Sequence, residues 1–144
     1  MQQKFFNKAW RGEAIFDESG QYRYWLSRSW NSTRPIINFI MLNPSTANEE
    51  HLDSTITRCL YYAQHWGFGR LIVTNLFAWR ATQPNALTSV TDPVGTDNDA
   101  YLTWGAVISH VRVAAWGTHH SAKLRKRGVE QLLSPFPLMT LGTT

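Results

Sequence analysis

The stretch Ile36-Ile37-Asn38-Phe39-Ile40-Met41-Leu42 runs directly into Asn43-Pro44-Ser45-Thr46-Ala47-Asn48. Its first seven residues are almost unbroken in apolarity, the pattern of a strand covered on both faces rather than one with a wet side. Arg34-Pro35 precedes it and Asn43-Pro44 closes it; the proline holds Asn43 in extended geometry. Further along, Leu71-Ile72-Val73, Val111-Arg112-Val113-Ala114-Ala115-Trp116 and Pro137-Leu138-Met139-Thr140-Leu141 read as strands too, the last with proline at its first residue, where a strand tolerates it. Strands over 36–42, 71–74, 111–116 and 138–141 are therefore expected to lie parallel in one sheet.

Helical patterns fall between these strands, as parallel pairing with right-handed crossovers requires. Asp53 or Ser54 caps a helix with the apolar stripe Ile56, Cys59, Leu60, Ala63 and Trp66, and Gly67 stops it. Asn98 or Asp97 opens a second, carrying Ala100, Trp104, Val107 and Ile108. A third runs over 120–133, with Leu124, Val129, Leu132 and Leu133 inward and Lys123, Arg125, Lys126 and Arg127 outward. Residues 83–96, rich in Pro, Thr, Asn and Asp, form a long ordered loop. Toward the N-terminus, Ala14-Ile15-Phe16-Asp17 and Gln21-Tyr22-Arg23-Tyr24-Trp25-Leu26 flank the turn signal Glu18-Ser19-Gly20; period-two alternation puts Tyr22, Tyr24 and Leu26 on one face. The expected fold is a single three-layer α/β/α domain. It has a central, mostly parallel four-stranded sheet over 35–144 and an N-terminal β-hairpin extension over 1–34.

At 144 residues and 16.5 kDa the chain is the size of one domain and can bury a core without disulfides. A 43% hydrophobic, 17% charged composition excludes disorder as the main state. The single cysteine, Cys59, excludes an intramolecular disulfide and fits a reducing compartment. No apolar run has the ~18 residues of a membrane span, and Met1-Gln2-Gln3-Lys4 begins no signal peptide. A soluble cytoplasmic protein without membrane association is expected. The net charge of +4 is compatible with nucleic acid, and seven Trp point to an aromatic core and to a ligand site or interface.

Ligands of an open parallel sheet bind outside the carboxyl ends of its strands. There the chain carries Asn43-Pro44-Ser45-Thr46, Thr74-Asn75-Leu76-Phe77-Ala78-Trp79-Arg80, and Gly117-Thr118-His119-His120. Asn43 offers a donor and an acceptor on a fixed stem, suited to a base edge or a water, or else it satisfies its own turn. Asn75 repeats the amide on the next strand. Ser45 and Thr46 either bind an anion or cap a turn. Trp79-Arg80 sets a stacking plane beside a guanidinium, for a base and a phosphate or for a structural ion pair. His119 stands at a helix N-terminus, where its ring acts as a hydrogen-bond donor or base, or as a cap. The run Lys123 to Arg127 is either a solvated face or a phosphate contact. With no HxxxH or CxxC spacing, no metal is expected. P-loop, GxGxxG, GxSxG and HExxH motifs are absent, so nucleotide-driven ATPases, Rossmann dehydrogenases and serine hydrolases have no support.

The runs Met41-Leu42-Asn43-Pro44-Ser45-Thr46-Ala47, Asp53-Ser54-Thr55-Ile56-Thr57-Arg58, Thr74-Asn75-Leu76-Phe77-Ala78-Trp79-Arg80-Ala81-Thr82 and Ala114-Ala115-Trp116-Gly117 resemble a family of bacterial and phage proteins catalogued as domain of unknown function 1643. More distantly, an apolar strand ending in Asn-Pro, a second ending in Thr-Asn-Leu and a third ending in a Gly turn resemble the uracil-DNA glycosylase superfamily. That resemblance implies a base bound at the strand ends without metal or cofactor. Asn43 would position the hydrolytic water, Asn75 would read the base or ribose, and Phe77 or Trp79 would stack on it. Arg80 and the 123–127 face would hold phosphate. Members of both groups carry a further loop after the last strand, whereas this chain stops at Gly142-Thr143-Thr144; weak or absent base release is therefore expected. Two functions stay open: a DNA-glycosylase-like hydrolase that handles DNA or its bases, and a non-catalytic module that binds a nucleotide, a modified base or a protein partner in the same crevice.

Overall fold

The apolar run at 36–42 becomes the middle of a mixed sheet in the computed structural model, which describes residues 2–7 as backbone and residues 11–140 in full. The strands are β1 (Gln2–Asn7), β2 (Arg11–Phe16), β3 (Arg23–Ser29), β4 (Ile36–Met41), β5 (Arg70–Asn75), β6 (Val111–Ala114) and β7 (Met139–Thr140). The helices are α1 (Ser54–His65), α2 (Asn98–Ile108), α3 (His120–Lys123) and α4 (Lys126–Leu132), with a 3-10 turn at Pro84–Ser89. The strands lie in the order β1-β2-β3-β5-β4-β6-β7.

The four strands expected to be parallel are parallel neighbours: β4 pairs with β5 (Phe39 opposite Val73) and with β6 (Phe39 opposite Val113), and β6 pairs with β7. The sheet is nevertheless larger and more mixed than the expected four strands plus an extension. The β2–β3 hairpin is continuous with it, through antiparallel pairing of Leu26 with Val73 and Arg28 with Leu71. β1 adds an outer antiparallel strand. An edge strand needs only one neighbour, so its sequence carries little pattern. Of the last expected strand, Leu141 lies outside the described residues.

Because β5 and β6 flank β4 on opposite sides, same-handed crossovers put α1 and α2 on opposite faces. Ile37, Phe39, Leu71 and Val73 pack under Ile56, Cys59 and Ala63 of α1. On the other face Ile40 packs with Leu102 and Ala106 of α2, and Ile72 with Trp25, Tyr101 and Ile108. Burial pushes the Cys59 thiol up to about 11, consistent with an inert core residue. α1 is capped by the Asp53 carboxylate, which accepts from the Ile56 N–H at 2.9 Å. It ends in a Schellman motif: Gly67 at φ +87° donates to the Gln64 carbonyl, and Phe68 to that of Ala63.

Three local expectations are corrected. A bulge in β3 pairs Ile15 with Trp25 and Phe16 with Arg23, leaving Tyr24 as the extra residue. Tyr24 thus stacks on Tyr101 of α2 and on Tyr22, away from Leu26, whose neighbours are on the α1 face. The buried line of α2 is Asn98, Leu102, Gly105 and Ala106, while Ala100, Trp104 and Val107 are exposed. The helix lies close to the sheet at Gly105, where a Cβ would come within 3.2 Å of Thr74 Cγ2. The helix expected over 120–133 breaks into α3 and α4 at Arg125, whose φ of −125° is not helical. Leu124 is 77% exposed rather than inward.

Candidate functional site

After β4 the chain turns toward the α1 face; after β5 and β6 it turns to the other. The loops therefore part at the carboxyl edge, where a parallel sheet forms its crevice. Hydrogen bonds lace the loop after β4 to the loop after β5. The Asn43 amide donates through Nδ2 to the Ala81 carbonyl at 2.8 Å and to that of Pro44 at 3.0 Å, and Ala81 N–H donates to the Pro44 carbonyl at 3.0 Å. Two carbonyl acceptors on one side fix which end of the amide is nitrogen, leaving Oδ1 as an acceptor with no protein partner among the described residues. Arg80 donates through Nε to the Ser45 carbonyl at 3.3 Å and through Nη1 to the Gly20 carbonyl at 3.1 Å. Its guanidinium lies 5.0 Å from the Phe16 ring centroid. Gly20, Gln21, Ser45, Arg80, Ala81 and Thr82 line a cavity of about 190 Å³ here.

Asn75 is 1% exposed, and neither atom of its side-chain amide has a hydrogen-bond partner among the described residues. Strand alternation puts it on the α1 face with Leu71 and Val73, beneath the loop that carries Asn43. Its backbone carbonyl, and that of Leu76, accept from Asn98 Nδ2 at 2.9 and 3.1 Å, so α2 holds the end of β5 from the opposite face. Buried polar atoms without partners destabilise a fold by ~1–3 kcal/mol. Asn75→Leu, close in volume and free of that penalty, is expected to raise the stability of the ligand-free protein by ~1–2 kcal/mol. Urea unfolding would check this; a loss of stability would mean the amide is already satisfied within the protein.

The sequence reading gave no site role to Arg23 or Arg28, and took Asn98 only as a residue that opens α2. Arg23 and Arg28 are each 1% exposed, a rare condition for charged side chains. Arg23 Nη1 donates to the Ala47 carbonyl at 3.0 Å and its Nε has no partner among the described residues. Arg28 donates to the carbonyls of Ser27 and Asn48. Burial lowers the Arg23 guanidinium to about 9; Asp53 partly offsets this, and Arg80 and Arg28 add to the lowering. It remains charged at neutral pH. The bulge turns Arg23 onto the α1 face. The signal for both residues was a cation inside an otherwise apolar strand.

Other expected site residues have separate surroundings. The His119 ring accepts from the Ser121 N–H through Nδ1 at 3.2 Å, and its Nε2 lies 3.1 Å from Asn85 Oδ1; it caps α3 and ties it to the 3-10 turn. Gly117 is exposed, at φ +73°. Phe77 is buried in the α2-face core, and Trp79 meets Tyr22 edge-on at 5.3 Å. Pro44 is buried and Thr46 exposed. Arg125 donates to the Leu76 carbonyl at 3.1 Å and pairs with Asp99, which leaves Lys123, Lys126 and Arg127 as the exposed cations of this run. Among the described residues no three His, Cys, Asp or Glu side chains are grouped to hold a metal ion, and no helix is long and apolar enough to cross a membrane.

Fold and site together define an α/β protein with a polar crevice at the carboxyl edge of a mixed sheet. The chain belongs to the family described as protein of unknown function DUF1643, whose family model matches residues 23–144. No curated protein and no solved structure matches it.

Proposed function

We propose that this protein binds a nucleobase-bearing ligand, a nucleotide or a base swung out of a nucleic acid, in the crevice beside Asn43. The observation that carries the reading is the held amide of Asn43, whose Nδ2 is fixed by the Ala81 carbonyl. Its Oδ1 is left to accept from a base N–H. Base edges alternate donors and acceptors, and an amide is the side chain that matches them. Lys123, Lys126 and Arg127 are exposed along the segment after β6, which ends on the same sheet edge; they suit phosphate contacts that add affinity without sequence preference.

The free Oδ1 of Asn43 also favours a second reading, N-glycosidic hydrolysis. In that reaction a water held by this oxygen attacks the sugar C1′, the C1′–N bond breaks, and the water's proton passes to the departing base. No carboxylate hydrogen-bonds to Asn43 among the described residues, so the water is oriented rather than deprotonated and base release is slow. A thermal-shift screen with nucleosides, nucleotides and short oligonucleotides tests the binding. A base-bearing ligand should stabilise the wild type, and Asn43→Ala should weaken that ligand about tenfold, the value of one good hydrogen bond. Duplex DNA affinity should fall with salt at a log–log slope of about −3, for three phosphate contacts. Absence of any shift, or an Asn43→Ala variant that binds as the wild type does, rejects the reading. Fast release of uracil from oligonucleotides, lost in Asn43→Ala, would establish hydrolysis over simple binding.

A further inference from the structure

The cavity beside Asn43 is lined on its polar side by donors and by one cation. Arg80 contributes the guanidinium, Ser45 and Thr82 contribute hydroxyls, and Gln21 contributes an amide; no Asp or Glu is among the lining residues. Neither hydroxyl makes a hydrogen bond among the described residues, and two of Arg80's nitrogens are already directed onto the carbonyls of Ser45 and Gly20. Those contacts hold the guanidinium still without neutralising it. Arg23 is buried close enough to feel the Arg80 charge. It is held by the carbonyl of Ala47, two residues beyond Ser45, and its Nε is unpartnered. Neither Arg23 nor Arg80 has an ion-pair partner among the described residues. Asp53, the acid that acts most on Arg23, has its Oδ1 committed to the cap of α1. Positive charge is thus concentrated under this loop and only partly offset, by Asp53, a condition an interior tolerates poorly unless an anion completes it.

We propose that this cavity is an oxyanion site that takes a phosphate group. Arg80 is the contacting cation, the hydroxyls of Ser45 and Thr82 donate to the phosphate oxygens, and the buried Arg23 adds positive charge that Asp53 offsets only in part. Its volume of about 190 Å³ equals roughly six waters, enough for a phosphate with its first hydration or with the start of a sugar. The proposal deepens the nucleobase reading, on which it rests for the kind of molecule that brings the phosphate. The anion site itself is testable without a base.

The test is a thermal-shift titration of the full chain with sodium phosphate against sodium chloride at matched ionic strength. Phosphate is expected to raise Tm saturably where chloride does not. Arg80→Gln should abolish the effect. Thr82→Val, at an exposed position that leaves the fold intact, should weaken phosphate about fivefold. Coinciding phosphate and chloride curves overturn the proposal, as does a phosphate shift that survives both substitutions. A nucleoside monophosphate that outbinds its nucleoside in an Arg80-dependent way identifies a phosphomonoester source. An oligonucleotide lacking terminal phosphates that competes with inorganic phosphate identifies a backbone diester. If phosphate binds and no base-bearing ligand does, the anion site stands and the nucleobase reading falls. If nucleosides bind and phosphate does not, the nucleobase reading stands and the anion site falls.

Discussion

Gly69→Ala is expected to destabilise the protein by at least ~3 kcal/mol, the top of the usual overpacking range, which lowers Tm by about 10 °C for a domain of this size. A Cβ there would stand 1.8 Å from the backbone oxygen of Asn31 and 2.9 Å from Arg34 Cβ. The cause is topological. The segment from Trp30 to Pro35 crosses the start of β5 to pass from β3 to β4, and it closes around Gly69. Trp30 and Asn31 N–H groups both donate to the Gly69 carbonyl, and Gly69 N–H donates to that of Pro35. The obstacle is backbone, which cannot rotate aside. Gly128→Ala is the control: it lies in α4, its nearest added contact is 3.8 Å, and helix propensity predicts a gain of about 0.5–1 kcal/mol. Equal Tm values for the two variants would contradict the account.

Arg23→Met is expected to act in the opposite direction, raising the stability of the ligand-free protein by ~1–4 kcal/mol, the gain found when buried ionic groups give way to apolar ones of similar size. Arg23 is 1% exposed and repelled by Arg80 and Arg28. Its removal leaves the Ala47 carbonyl without that donor, which reduces the gain but does not reverse it. The same variant should lose the stabilisation that phosphate confers on the wild type. Chemical unfolding with and without phosphate measures both halves. A variant less stable than wild type in the absence of anion would show that the arginine is compensated within the protein.

The parallel core was legible because burial on both faces makes its strands unmistakable: the 36–42 run, Leu71-Ile72-Val73 and Val111 to Ala114 all became neighbouring parallel strands. Asp53 and Gly67 also marked the ends of α1 as capping chemistry predicts. Less legible was whatever depended on distant partners. The bulge that turns Arg23 inward depends on the pairing of β2 with β3, and no local pattern in Gln21 to Leu26 records it. α2 turns Leu102, Gly105 and Ala106 inward and shows Trp104, 47% exposed, because Gly105 sets how close the helix can lie, so an apolar stripe misled. Arg125 reads as one more cation on a basic helix until the end of β5 and Asp99 are seen to hold it. At the site, Asn43, Ser45 and Arg80 stood out as polar residues after buried strands. The charge excess behind them was not apparent, because strand β3 is remote in sequence from both loops.

The insertion of β5 between β3 and β4 has a consequence for how the chain can assemble. Strands adjacent in sequence are held two sheet positions apart, about 10 Å. The β2–β3 hairpin can close by itself, yet it has no edge to dock on until residues 70–75 arrive, and β4 then waits for β6, some seventy residues along, to cover its other side. Long-range closures of this kind slow folding. The expected kinetic picture is an early hairpin, a late and rate-limiting entry of β5 into the gap, and a transition state in which the crossing at Gly69 is already formed.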